Sequence, residues 1–291
     1  RPASSAMTDK KFQETLYEGL RTEYACTEVF FDSETDHQRL VIFNNPLFGR
    51  MMMLDGVTQT TEADEFIYHE MLTHVPILAH GAAKNVLIIG GGILREVLRH
   101  PGIERCTMVE IDPSVVELSK QHLPNHSNGA FDDVRTNLVF DDGAAFIRDP
   151  SDAHQNAYDV IIVDSTDPIG PGEVLFTDTF YANARQCLKP GGILVTQNGV
   201  PFMQPDELKT TMTHFRHLFN DATCYLATVP TYVGGPMALG WASDDRSLRT
   251  ISEDILAARF AEAELDTRYY TPAIHKAAFA LPGYIADLVG E

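Results

Sequence analysis

Apolar and polar residues alternate in short runs over the first eighty or so positions. Glu28-Val-Phe-Phe31, Gln38-Arg-Leu-Val-Ile-Phe43 and Gly49-Arg-Met-Met-Met-Leu54 read as strands, with Asn44-Asn-Pro46 and Asp55-Gly56 as the turns between them. About six such strands would form a small antiparallel unit. Over residues 64–78 the spacing becomes helical: Phe66, Ile67, Met71 and Leu78 are apolar, and Pro76 stands near the end. From Lys84 onward strands alternate with helices. The strands are Val86-Leu-Ile-Ile89, Cys106-Thr-Met-Val-Glu110, Asn137-Leu-Val-Phe140, Asp159-Val-Ile-Ile-Val163 and Gly192-Ile-Leu-Val-Thr196, and helical patterns cover 114–122 and 177–188. Strands that are apolar throughout belong to a parallel sheet covered on both faces, which predicts a doubly wound α/β domain. A helix after Pro205 and strands near 223–229 and 237–242 follow. We expect an N-terminal β domain over 8–63 and a Rossmann-like domain over 64–291. Residues 1–7 resemble a terminal scar and are set aside.

Three consecutive strand ends carry glycine or acid. Val86-Leu-Ile-Ile-Gly-Gly-Gly92 is a strand entering a glycine turn, so Gly90, Gly91 and Gly92 permit close approach of the backbone to a ligand. Glu110 ends the next strand, where an acid accepts hydrogen bonds from ribose hydroxyls; the alternative is a solvated carboxylate at a strand end. At Asp141-Asp142-Gly143 an acid accepts from an exocyclic amine or caps the following helix. A fourth strand, Tyr158-Asp-Val-Ile-Ile-Val163, runs into Asp164 and Asp167 and then a loop rich in proline and glycine. Carboxylates at this edge of a parallel sheet lie in the ligand crevice, and with no basic neighbour they point to a cationic substrate. An Asx-turn or helix cap ahead of Pro168 is the competing role. The stretch Leu175-Phe-Thr-Asp-Thr-Phe-Tyr181 reads as part of a loop that closes over substrates.

Charge narrows the partners. The formal net charge of -19 disfavours nucleic-acid binding and raises the local concentration of cations near a cleft. Cys26, Cys106, Cys187 and Cys224 form no C-x-x-C pair, and no apolar run approaches membrane-helix length, so we expect a cytoplasmic protein with reduced thiols. Asn125-His-Ser127 is then a chance glycosylation pattern. His74, His80 and His100 have no evident metal-ligand partners and are read as structural, with no metal site.

Taken together, Thr35-Asp-His-Gln38, Leu54-Asp-Gly-Val-Thr-Gln-Thr-Thr-Glu62, Asp64-Glu-Phe-Ile-Tyr-His-Glu70, Val109-Glu-Ile-Asp112, Asp141-Asp-Gly143, Asp164-Ser-Thr-Asp-Pro-Ile-Gly-Pro171, Pro230-Thr-Tyr232 and Tyr270-Thr-Pro-Ala-Ile-His275 resemble the polyamine aminopropyltransferases, bacterial spermidine synthases above all. The resemblance spans nearly the whole chain. It implies a methyltransferase-type Rossmann sheet, assembly as a homodimer or homotetramer, decarboxylated S-adenosylmethionine as co-substrate and putrescine as acceptor, with no further cofactor. It also implies roles. Gln38 lies by the donor thioether, Glu110 takes the ribose, Asp142 and Gly143 take the adenine, and Pro171 lines the adenine pocket. Tyr68, His69, Asp167 and Tyr232 hold the polyamine, Ser165 and Thr166 belong to the same substrate-binding stretch, and Asp164 accepts the proton. A further acid along the tunnel should hold the distal ammonium. Rival readings are an S-adenosylmethionine-dependent putrescine N-methyltransferase and a noncatalytic polyamine or nucleoside binder.

One departure stands out. The family carries Gly-Gly-Gly-Asp-Gly-Gly or a close variant before Leu-Arg-Glu-Val. Here Gly92 runs directly into Ile93-Leu-Arg-Glu-Val97, about three residues short of the family's turn, as the resemblance implies. The acid lost is the one that, in the family, grips the aminopropyl ammonium. Because the other motifs are intact, we expect residues to be missing at this junction rather than deleted. A shortened turn that is genuine would favour the methyltransferase reading.

Overall fold

The alternating N-terminal runs become strands in the computed structural model, which describes residues 9–148, 153–168 and 170–291. β1 (Lys11–Tyr17) and β2 (Leu20–Ala25) form a two-stranded hairpin. β3 (Glu28–Glu34), β4 (Arg39–Asn45), β5 (Gly49–Leu54) and β6 (Val57–Thr61) form a four-stranded antiparallel sheet in that order. The six strands thus divide between two sheets. The predicted helix is α1 (Glu65–His80), which ends at Gly81 in a left-handed conformation with φ 78°. Pro76 is inside it, and residues 67–79 are all buried.

The remainder alternates as expected: β7 (Asn85–Gly90), α2 (Leu94–Leu98), β8 (Arg105–Glu110), α3 (Pro113–His122), α4 (Pro124–Ser127), β9 (Thr136–Phe140), α5 (Gly143–Ile147), β10 (Tyr158–Asp164), α6 (Asp178–Cys187), β11 (Leu188–Gln197) and α7 (Pro205–Leu218). β12 (Asp221–Ala227), β13 (Met237–Ser243), α8 (Glu253–Glu262), α9 (Pro272–Ala278) and α10 (Gly283–Val289) complete the described chain. The seven-stranded sheet runs β12-β13-β11-β10-β7-β8-β9. Neighbours from β11 to β9 are parallel, and β13 is antiparallel to both β11 and β12.

Both faces are covered, which accounts for the unbroken apolar strands. Val86, Ile88, Val160 and Ile162 pack on one side with Met71, Leu72 and Val75 of α1. Leu87, Ile89, Ile161 and Val163 pack on the other with Phe180, Leu208 and Phe215 from α6 and α7. Strand order reverses at the β10–β7 pair, so the crevice for a ligand opens above the carboxyl ends of these two strands.

Candidate active site

The β7 turn sits where that crevice opens. Gly90 has φ 100°, and a Cβ there would lie 1.9 Å from the carbonyl oxygen of Asp164, so only glycine lets β7 and β10 end side by side. At Gly92, with φ 115°, a Cβ would lie 3.0 Å from Asp164 Oδ2 and 3.1 Å from His69 Nε2. The chain then passes straight into buried Ile93, whose carbonyl accepts from the amides of Glu96 and Val97 at 3.0 and 3.2 Å. Gly91 and Gly92 join β7 to α2 through Ile93.

Above the turn lies a cavity of about 170 Å³ that gathers Gln38, Gly90, Gly91, Gly92, Glu110, Asp142 and Gly143, together with Tyr68, His69, Asp164, Ser165 and Thr166. Burial pushes the Glu110 carboxyl up to about 7 even though it accepts the amide of Asp112 at 3.1 Å. Asp142 caps α5: its Oδ1 accepts the amides of Ala144 and Ala145 at 2.8 and 3.0 Å. The capping alternative read from the sequence holds for this residue, and its side chain also lines the cavity. Gln38 Nε2 donates to Asp112 Oδ2 at 3.2 Å, and Thr35 Oγ1 donates to the same oxygen at 2.7 Å. These bonds hold the N-terminal sheet over the cavity mouth.

Tyr68, Asp164, Ser165 and Thr166 also line a second, narrower cavity of about 50 Å³, which adds Asp167, Tyr232, Glu14, Tyr17, Gln197 and Gln204. Asp164 stands at the seam between the two. Tyr68 donates its hydroxyl to Oδ1 at 2.7 Å, while Oδ2 is buried with no hydrogen-bond partner among the described residues. Burial pushes this carboxyl up to about 6 against the opposing pull of His69 and Tyr68. Burial also raises Asp167, whose Oδ1 accepts Gln204 Nε2 at 3.1 Å. Tyr232 donates its hydroxyl to the Gln59 carbonyl and stands edge-on to the Tyr68 ring at 5.8 Å, so it acts as a wall rather than a free hydrogen bonder. Ser165 Oγ is buried and without a partner among the described residues, and Thr166 Oγ1 donates to the Asp167 carbonyl at 3.3 Å. Pro171 lies in the 3₁₀ segment Gly170–Phe176, and its side chain is outside the described residues. The stretch expected to close over substrates is therefore partly helical, and Leu175 within it lines the larger cavity.

Sequence reasoning missed two acids, one lining the narrow cavity and one close enough to Asp167 to feel its charge. Glu14 reaches the narrow cavity because β1 turns alternate side chains inward, and its Oε2 accepts the Thr58 amide at 2.5 Å. Glu207, in the first turn of α7, has both carboxylate oxygens buried without partners among the described residues, and burial plus the nearby Asp167 push it up to about 8. Nothing local marks either one, since both depend on contacts between distant segments. Of the histidines read as structural, His74 bonds His100 and Glu96, each at 2.8 Å, inside the protein.

Residues 65–252 match the Spermine/spermidine synthase domain, and residues 11–62 match the Spermidine synthase tetramerisation domain. The chain belongs to the spermine/spermidine synthase family, the polyamine aminopropyltransferases. It is 62% identical to the polyamine aminopropyltransferase of Ruegeria sp. (strain TM1040) over 278 residues, covering 94% of this chain and 96% of that one. Identity to polyamine aminopropyltransferase 1 of Pseudomonas aeruginosa is 56% over 283 residues, covering 96% and 98%. Among solved structures, a spermidine synthase in complex with the transition-state analogue AdoDATO superposes with TM-score 0.92 at 34% identity, covering 99% of this chain and 98% of that one. Spermidine synthase from Thermotoga maritima gives 0.90, also at 34%, covering 99% and 97%. In this family member Asp164 lines both cavities. No helix among the described residues is long and apolar enough to cross a membrane.

Proposed function

We propose that this enzyme moves the aminopropyl group of decarboxylated S-adenosylmethionine to putrescine, giving spermidine and methylthioadenosine. The observation that carries the reading is the Asp164 oxygen, without a partner among the described residues, at the seam between a larger cavity and a narrow acidic one. The larger cavity takes the donor, with Glu110 at the ribose, Asp142 and Gly143 at the adenine, and Gln38 above the sulfur. The narrow one takes the diamine between Tyr68, Asp167 and Tyr232, with Glu14 within reach of the distal ammonium.

The attacking nitrogen must lose a proton first. With an amine near pKa 10.4, an ordinary aspartate at 3.9 lies about 9 kcal/mol short as its base. Burial holds Asp164 at about 6, which reduces the gap to about 6 kcal/mol. Desolvation of the amine in the closed site lowers it further. The neutral nitrogen then attacks the methylene carbon in line with the sulfonium, and neutral thioether leaves. The sulfonium is already activated, so the chemistry calls for no metal or prosthetic group. We infer assembly as a homodimer or homotetramer in the cytoplasm.

The shortened glycine turn favours a second reading, methyl transfer from ordinary S-adenosylmethionine. The charges around the donor favour the first. Arg95 lines the donor cavity, but its guanidinium is committed to Glu65, Glu96 and the Asn125 carbonyl. A donor carboxylate would meet the Asp164 oxygen and find this cation occupied, whereas an ammonium alone suits the site. Mass spectrometry of the products formed from each donor with a panel of diamines tests the assignment. Spermidine from the decarboxylated donor is expected. Methylated putrescine, or calorimetric binding without product, would replace the reading with one of its rivals.

A further inference from the structure

α1 carries a carboxylate–imidazole pair that the steps above leave unused. Glu65 precedes His69 by one helical turn, and its Oε2 lies against Nδ1, close enough for an ion pair when the ring is protonated though off hydrogen-bond geometry. Arg95 of α2 grips the same carboxylate with both arms, Nη1 to Oε1 at 3.0 Å and Nη2 to Oε2 at 2.9 Å. Burial pushes Glu65 up, but His69 and Arg95 outweigh it and hold the carboxyl at about 2, so it is an anion at any working pH. An imidazole nitrogen set against a carboxylate carries the proton. In the neutral form of the ring the lone pair then sits on Nε2.

That lone pair faces the reaction chamber. His69 is 3% exposed, and both its Nε2 and Asp164 Oδ2 lie within 3.1 Å of the point a Gly92 side chain would occupy. The two atoms are therefore no more than about 6 Å apart, a gap that one water or one nitrogen bridges with two ordinary hydrogen bonds. The other groups around the ring are Tyr68 of α1, whose hydroxyl is on Asp164, and His126 of α4, 5.9 Å away ring to ring and bonded through Nε2 to Thr60.

We propose that Glu65 is a positioning residue for proton removal, fixing His69 so that Nε2 carries away the proton that Asp164 accepts from the attacking amine. An N–H bond of the amine breaks as the Asp164 O–H forms. That O–H then breaks as the Nε2–H bond forms, directly or through one water, which restores the carboxylate. The imidazolium is balanced by Glu65 until the proton passes to solvent with product release. The inference rests on the aminopropyl-transfer reading.

Steady-state kinetics of Glu65→Gln and Glu65→Asp across pH 6–10, followed by product detection, test it. Glutamine keeps a polar partner and removes the counter-charge, so kcat should fall about 10- to 100-fold while both KM values stay within about threefold. The low-pH limb of kcat should move to lower pH, because the imidazolium has lost the anion that stabilised it. Aspartate should restore most of kcat. An unchanged kcat, or a loss with the limb in place and no rescue, overturns the inference. Should the glutamine variant fail to fold, nitrogen-15 NMR of histidine-labelled wild type at pH 8 decides the matter. Nδ1–H with bare Nε2 is expected, and the opposite tautomer contradicts it. Wild type that forms no aminopropylated product defeats the reaction reading itself, whereas an active wild type with an indifferent Glu65→Gln defeats only this inference.

Discussion

At the scale of the residue, the proposed chemistry comes down to what surrounds Asp164. Its described neighbours supply one hydrogen bond, from Tyr68, and leave the other oxygen buried and unpaired among the described residues. A carboxylate in that state is a stronger base than in water and has no competing donor to displace before an amine arrives. The glycines contribute by absence. Gly90 allows the Asp164 carbonyl to approach, and Gly92 leaves open the space between Asp164 and His69. Their clustering in one turn was visible in the sequence. Glu65 stands in the sequence four positions before His69 but was given no role there, because the role proposed for it depends on Arg95 from another helix.

At the scale of the element, α1 organises the site through buried polar groups. Asp64, just before it, accepts Thr61 Oγ1 at 2.7 Å through Oδ1, and the Thr231 amide and hydroxyl at 3.0 and 2.7 Å through Oδ2. It thereby pins the loop that carries Tyr232. Glu70 accepts the amides of Arg268, Tyr269 and Tyr270 at 2.9, 2.7 and 2.8 Å, docking the C-terminal segment. Replacing Asp64 by Ala strands the buried Thr231 amide and should cost about 1–3 kcal/mol in urea denaturation. With the Tyr232 wall loosened, KM for the diamine should rise several-fold while kcat holds. An unaltered KM would show that the loop is fixed by other contacts. The strands and α1 were legible because their periodicities are strong. α8, α9 and α10 were not, because they bury few side chains: Leu256 in α8, His275 and Ala278 in α9, Ile285 and Val289 in α10. The division of the N-terminal strands into two sheets also escaped, since pairing between distant strands leaves no local mark.

At the scale of the whole molecule, the net charge of -19 has a structural counterpart in buried acids. Asp164, Glu110 and Glu207 are held by burial at about 6, 7 and 8, so the fold retains protons that the unfolded chain releases. Stability from these groups is present at low pH and is lost as pH rises through those values. Burial keeps His100, His126 and His275 neutral, with values near 3, so their contribution is lost as pH falls below about 6.5. Glu65 and Glu96, both near 2, give way only in stronger acid. Below about pH 6.5 the acids and histidines offset one another; above it, Glu110 and Glu207 act alone. The unliganded enzyme should therefore lose about 2–3 kcal/mol between pH 6.5 and 8.5 in urea denaturation. Saturating diamine and nucleoside should flatten that slope, and a flat profile without ligand would contradict the assignment of these acids.

The central claim is that the free oxygen of Asp164 receives the proton of the attacking amine. The most direct measurement is single-turnover aminopropyl transfer by Asp164→Asn at pH 7, with both substrates saturating. Asparagine preserves the side chain's shape and the contact with Tyr68 but cannot accept the proton. The rate should fall by about 10²- to 10⁴-fold and recover in part as pH rises and free amine accumulates. A rate within a few-fold of wild type would remove Asp164 from that role.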